Sequence, residues 1–95
     1  MMSDLPSIEL LEKTHQFPGP YMFKFIGRVE NGFVARVVAA VRDELADFSD
    51  PPFTYREAVG GRHVSVTLEP TVQTAAQVLA VYRRIQKLAG LVMSL

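Results

Sequence analysis

The chain has no cysteine. That removes disulfides, thiolate zinc sites, iron–sulfur clusters and cysteine nucleophiles from its chemistry. It has no excess of either charge: ten Lys and Arg balance ten Asp and Glu. A neutral chain lacks the strong field that nonspecific binding to nucleic acid or an anionic membrane requires. No apolar run approaches the ~20 residues of a membrane span. The start, "MMSDLPSIELLEKTH", has neither a basic n-region nor an apolar stretch of signal-peptide length, so the expected location is the cytoplasm. Histidines number two, His15 and His63, far apart and without the spacing that metal ligands on one element show. What remains is 95 residues, 48% of them hydrophobic, enough for one core and short for two.

Residues 1–16 read as an N-terminal extension with a short helix over residues 7–14. Ser7 is its N-cap, Ile8 and Leu11 share a side, and "FPGP" closes it. The domain proper spans residues 17–95. "YMFKFIGRV" is a strand with Tyr21, Phe23 and Phe25 on one face and Met22, Lys24 and Ile26 on the other. From Asn31 the period lengthens: Phe33, Val37, Val41 and Leu45 recur every four residues beside Val34 and Val38, with Arg36 and Asp43 opposite. This amphipathic helix ends near Ala46, before the turn-rich "DFSDPP".

"FTYREAV" is a second strand of weak alternation. "RHVSVTLEP" is a third, with Val64, Val66 and Leu68 inward and Ser65 and Thr67 outward. Thr74 and Gln77 form a T-x-x-Q capping box that opens a second helix. Its stripe is Val78, Val81, Tyr82, Ile85 and Leu88, with Arg83, Arg84 and Lys87 on a solvated face. Gly90 suits a left-handed position past its end, and "LVMSL" is a last strand with Leu91, Met93 and Leu95 inward.

The order strand, helix, strand, strand, helix, strand has one simple packing. It is an α+β fold, the ferredoxin-like βαββαβ two-layer sandwich: a four-stranded antiparallel sheet with both helices on one face and the first and third strands central. Gly60-Gly61 then joins the second and third strands as a two-residue hairpin turn. It is not a phosphate cradle, because "RHVSVTL" that follows is no helix.

"FPGPYMFKFIG", "GRHVSVTL", "QVLAVYRRI" and "VMSL" together resemble the YbeD-like proteins, small bacterial proteins without an assigned activity. The resemblance covers residues 17–95, and its pieces are Lys24 with Gly27, Ser65 with Val66, Gln77 with Tyr82, and Met93 with Leu95. It implies a ferredoxin-like domain similar to ACT regulatory domains, which bind small metabolites and pair through their sheets. It does not imply an enzyme.

Two sites follow. "GRVENGFVARV" is similar to the opening of an ACT domain, so Glu30, Asn31 and Gly32 are the expected ligand-binding residues, where free N–H groups at the helix start would receive a carboxylate. The bland reading of the same residues is that Asn31 caps the helix and Gly32 relaxes the turn. The segment also resembles the phosphate cradle of acylphosphatase. Here one extra residue precedes Arg36, which rotates it by about 100° on a helix, and the sole asparagine, Asn31, is not on a following strand to orient water.

The second site is the open sheet face. Met22, Ile26 and Val92 give it an apolar centre bounded by Lys24, Ser65, Thr67 and Ser94, a surface for a protein partner or a homodimer. With its aromatics turned inward, that face has no platform for stacking RNA bases. Ser65 and Thr67 have no neighbouring base and read as surface hydroxyls rather than nucleophiles. No catalytic residue, metal site, cofactor, nucleic acid or membrane is expected. The expected role is a noncatalytic regulatory or adaptor module acting by association through the open face or through the edge of the last or second strand, and the alternative is a sensor of an amino acid or carboxylate at Glu30, Asn31 and Gly32.

Overall fold

The structure, a computed structural model, describes residues 5–95; the first four residues of the expected N-terminal extension lie outside the described residues. In chain order the elements are α1 (Ile8–Thr14), β1 (Gly19–Pro20), β2 (Phe23–Arg28), α2 (Phe33–Glu44), β3 (Phe53–Glu57), β4 (His63–Leu68), β5 (Thr71–Val72), α3 (Ala75–Gln86) and β6 (Leu91–Ser94). The main sheet runs β3–β4–β2–β6, all antiparallel, with β2 and β4 central. This is the ferredoxin-like arrangement, with α2 and α3 packed together on one sheet face.

Alternation along the central strands decides which face is hidden. Phe23 and Phe25 on β2 and Val64, Val66 and Leu68 on β4 are buried beneath the helices. From α2 come Phe33, Val37, Val38 and Val41, and from α3 Val78, Val81, Tyr82 and Ile85. Phe23 and Phe25 stack at 5.9 Å between ring centroids, and Tyr82 meets both edge-on at 5.2 and 6.1 Å. Each such aromatic pair adds about 0.5–1.5 kcal/mol beyond area burial. Leu11 of α1 is buried in the same core, whereas Ile8, expected on its side, is exposed.

Helix ends follow local chemistry. Ser7 Oγ accepts from Leu10 N–H at 3.0 Å. Thr74 Oγ1 accepts from Gln77 N–H at 3.2 Å, as the capping box requires, but Gln77 Oε1 accepts from Gln73 N–H at 2.7 Å rather than from Thr74. The T-x-x-Q pair thereby satisfies one donor upstream of the cap. At α2 the expected Asn31 cap is absent: the N-cap is Gly32, left-handed with φ 66°, and no side chain accepts there. Asn31 is itself left-handed, with φ 54°, and turns its carbonyl toward Arg36.

The hairpin between β3 and β4 is present, with a longer tip than a two-residue turn. Ala58 N–H still donates to His63 C=O at 2.8 Å, so residues 59–62 form the loop. Gly61 N–H closes a β-turn on Ala58 C=O at 2.9 Å, and Gly60 holds φ 97° at its third position. On β6 alternation misleads. The register against β2 shifts between Ile26 and Gly27, placing Leu91 opposite Gly27 and Met93 opposite Ile26. Leu91 packs on the core, but Met93 and Leu95 are exposed instead of inward. Gly19–Pro20 and Thr71–Val72 add a small antiparallel pair that periodicity did not suggest.

Tyr82 carries a testable pH signature. Burial, reinforced by the 3.3 Å contact with the Tyr21 hydroxyl, raises its phenol above the ordinary value. The unfolded phenol ionises near pH ~10 while the folded one stays neutral, so the contribution is complete below that pH and is lost as pH rises above it. Tyr82→Phe is expected to flatten the alkaline decline in stability, read as the urea midpoint against pH. An unchanged slope would place the Tyr82 hydroxyl in water.

Candidate functional site

Two surfaces bring the expected site residues together. The first is a groove on the helix side of the sheet, at the β2–α2 loop. Glu30, Asn31 and Gly32 line it with the first turn of α2, and Phe53, Tyr55 and the carboxylate-bearing Glu57 of β3 form part of the opposite wall. The groove exists because α2 does not reach the edge strand. Phe53 and Tyr55 pair with Leu68 and Val66, so they point to the helix side, yet they are 40% and 60% exposed. Sequence reading missed both. The available signal was the F-x-Y spacing in "FTYRE", which the polar residues between and after them left ambiguous. No side chain caps α2 at Gly32, and Gly32, Phe33 and Val34 at its start line this groove.

Arg36 has a structural task there. Its guanidinium donates to the carbonyls of Asn31 at 2.9 Å, Ala89 at 2.9 Å and Glu30 at 3.4 Å, and lies 5.7 Å from the centre of the Phe33 ring. It clips the loop before α2 to the loop before β6, so it does not point at an incoming phosphate as the acylphosphatase likeness would need. Arg36→Ala is expected to cost about 1–2 kcal/mol in urea unfolding, since hydrogen bonds from a charged donor are worth more than neutral ones. Arg36→Lys should recover less than half, because one ammonium cannot span three carbonyls. Full recovery by lysine would show that charge alone matters.

The second surface is the open sheet face. Lys24 on β2 stands in a row with Thr67 on β4 and Thr54 on β3; Ile26, Ser65 and Arg56 form the next row. Lys24, Ser65, Thr67, Thr54 and Arg56 line one shallow depression. Met93 sits opposite Ile26, so the register shift makes it Ile26's apolar neighbour where alternation pointed to Val92. Val92 is itself about half exposed, as is Met22 just before β2. Ser94, expected on the rim of this face, pairs with buried Phe25 instead. The additional residues here are Thr54, Arg56 and Met93, which need the strand register to be placed.

The two histidines stay separate in role. His15 packs on Tyr21, with ring centroids 4.8 Å apart, and contacts Thr14 Oγ1 at 2.9 Å, while His63 pairs with Arg28 across the sheet. Among the described residues no group of three metal-ligating side chains forms. No helix among them is long and apolar enough to cross a membrane. Arg84, expected in a solvated basic face, reaches Glu44 of α2 at 2.9 Å, a surface pair of small energetic weight.

No curated protein matches the chain significantly. Among solved structures, the solution structure of protein HP0495 from H. pylori is similar in fold. It has a TM-score of 0.61 and 13% identity, covering 99% of this chain and 91% of that one. The family described as a protein of unknown function (DUF493) matches residues 12–95. With the strand order, the buried aromatic face and this match over most of its length, the chain belongs to that family, the YbeD-like proteins.

Proposed function

We propose that the protein is a noncatalytic association module whose open sheet face docks a protein partner. The observation that carries this is the uncovered face itself. Helices α2 and α3 lie on the opposite side, leaving exposed Met93 paired with half-buried Ile26 beside Lys24, Arg56 and three hydroxyl side chains. An apolar centre with a polar surround is the anatomy of a docking surface.

A photo-crosslinking residue at Ile26 is expected to form adducts with another polypeptide in cells, and the same residue at Arg83 on the helix side is not. Ile26→Glu should abolish adducts captured from a second crosslinking position at Met93. Adducts formed only from the helix side would overturn the reading. So would a purified turnover that Arg36→Ala abolishes.

A second reading is favoured by one feature, the uncapped start of α2 beside an apolar groove. There Glu30, Asn31 and Gly32 would bind an amino acid or carboxylate, its charge at the α2 N–H groups and its side chain against Phe53 and Tyr55. A ligand at 100 times its Kd raises stability by about 2.7 kcal/mol. A melting screen in which no amino acid or carboxylate shifts the transition would eliminate this alternative.

A further inference from the structure

The face assigned above to protein docking carries more positive than negative charge. Lys24, Arg28 and Arg56 project from it, although the whole molecule is neutral. Most carboxylates among the described residues are elsewhere: Asp43 and Asp50 gather at Arg42 near the end of α2, and Glu57 pairs with Val64 on the helix side, while exposed Glu69, one residue past β4, stands at the Met22 end of the face and enters no ion pair. Among the described residues only Glu30 comes within ion-pair distance of a face cation, 4.0 Å from Arg28. Among the described residues Lys24 and Arg56 enter no ion pair, and the hydroxyls of Thr54, Ser65 and Thr67 between them make no side-chain hydrogen bond. Two free cations with unpartnered hydroxyls between them form a surface that recognises carboxylates.

The register also sets a spacing. Lys24 and Arg56 are two strands and one row apart, which places their Cα atoms roughly 12 Å from each other. Side chains two turns apart on a helix are separated by about 10.5 Å. A helix laid on a sheet is the ordinary way to cover such a face, since it satisfies its own backbone. Ile26 and Met93 lie to one side of the line between the cations. A second copy of this chain fits poorly, because two-fold pairing of this face would set Lys24 and Arg56 against like charges. Stacked bases fit poorly too, since Phe23 and Phe25 are buried on the other side.

Resting on the association reading, we propose that the open face receives an acidic amphipathic helix of a partner protein. Carboxylates two turns apart meet Lys24 and Arg56, and apolar residues on its flank cover Ile26 and Met93.

The test is an amide NMR titration with a synthetic helical peptide carrying two glutamates seven residues apart and a leucine flank, beside its glutamine counterpart. Expected are shifts confined to the open-face residues of β2, β3, β4 and β6. Affinity should be at least about tenfold weaker for the glutamine peptide and should fall with salt. Lys24→Glu with Arg56→Glu should abolish binding, and Lys24→Gln with Arg56→Gln serves if the first pair perturbs the amide spectrum. Arg83→Glu should change nothing. Equal binding of both peptides at this face would overturn the acidic assignment while leaving the docking face intact. Absence of binding, shifts elsewhere, the same shifts with inorganic phosphate, or tighter binding of a single-stranded oligonucleotide would each overturn it as well.

Discussion

Replacing Gly27 with alanine is expected to destabilise the protein by about 3 kcal/mol, although it adds only one methyl group. A Cβ at this position would lie 2.3 Å from Phe33 Cζ and 2.4 and 2.5 Å from its two ε carbons. Phe33 is 2% exposed and held between β2 and the Arg36 guanidinium, so the ring has no free space to swing into. The first turn of α2 must therefore lift off the sheet, or β2 must bend. The measurement is a shift of the urea midpoint at constant slope. Gly27→Ala combined with Phe33→Leu should lose less than the sum of the two single changes, because the second relieves the clash of the first. A Gly27→Ala midpoint indistinguishable from the parent would mean that Phe33 does not pack over Gly27. The contact also bears on the groove, since it sets how closely Gly32 and Val34 approach the sheet.

Truncating Phe23 to alanine should cost about 4 kcal/mol, within the range for removing a buried aromatic. Phe23 is completely buried and touches three other rings: Tyr21 at 4.8 Å, Phe25 at 5.9 Å and Tyr82 at 5.2 Å. Removing it strips contacts from every member of that cluster, and the rigid sheet beneath cannot collapse into the gap. A domain of this size has about 5–15 kcal/mol in total, so the variant should be only marginally folded. Met22→Ala, one residue earlier on the opposite face, should stay within about 0.5 kcal/mol of the parent. The contrast between neighbours tests which face is hidden. Equal effects at residues 22 and 23 would remove the basis for treating the Lys24 and Ile26 face as open.

The strands and helices were legible where side-chain period and burial agree. Val64, Val66 and Leu68 alternate cleanly because β4 is covered on one face by helices and flanked on both sides by strands. Phe33, Val37 and Val41 mark α2 for the same reason at helical period. Legibility failed at the edges. One extra residue in β6 reverses the facing of Met93, and a register shift leaves no trace in hydrophobic pattern. Edge strand β3 is exposed along its whole length, so nothing constrains its pattern, and its part in both surfaces was hidden.

The same division holds for the candidate sites. Lys24, Ile26, Ser65 and Thr67 could be grouped from sequence, since each lies on a central strand whose buried face was unambiguous. Arg56, Thr54 and Met93 joined them only through cross-strand register. Arg36 looked like a helix-surface cation, and its partners are backbone carbonyls as far away as Ala89, to which composition and period are blind.

By itself the sequence determined the class of fold, the order of its elements, the buried side of the central strands and the absence of thiol chemistry. These depend on local period and residue type, which a linear chain states directly. Only the tertiary structure decided the bulge in β6, the clasp of Arg36, the seat of Phe33 on Gly27 and the groove that α2 leaves beside β3. Each of these is a meeting between segments distant in the chain or between facing surfaces, and its geometry is set by how the layers pack.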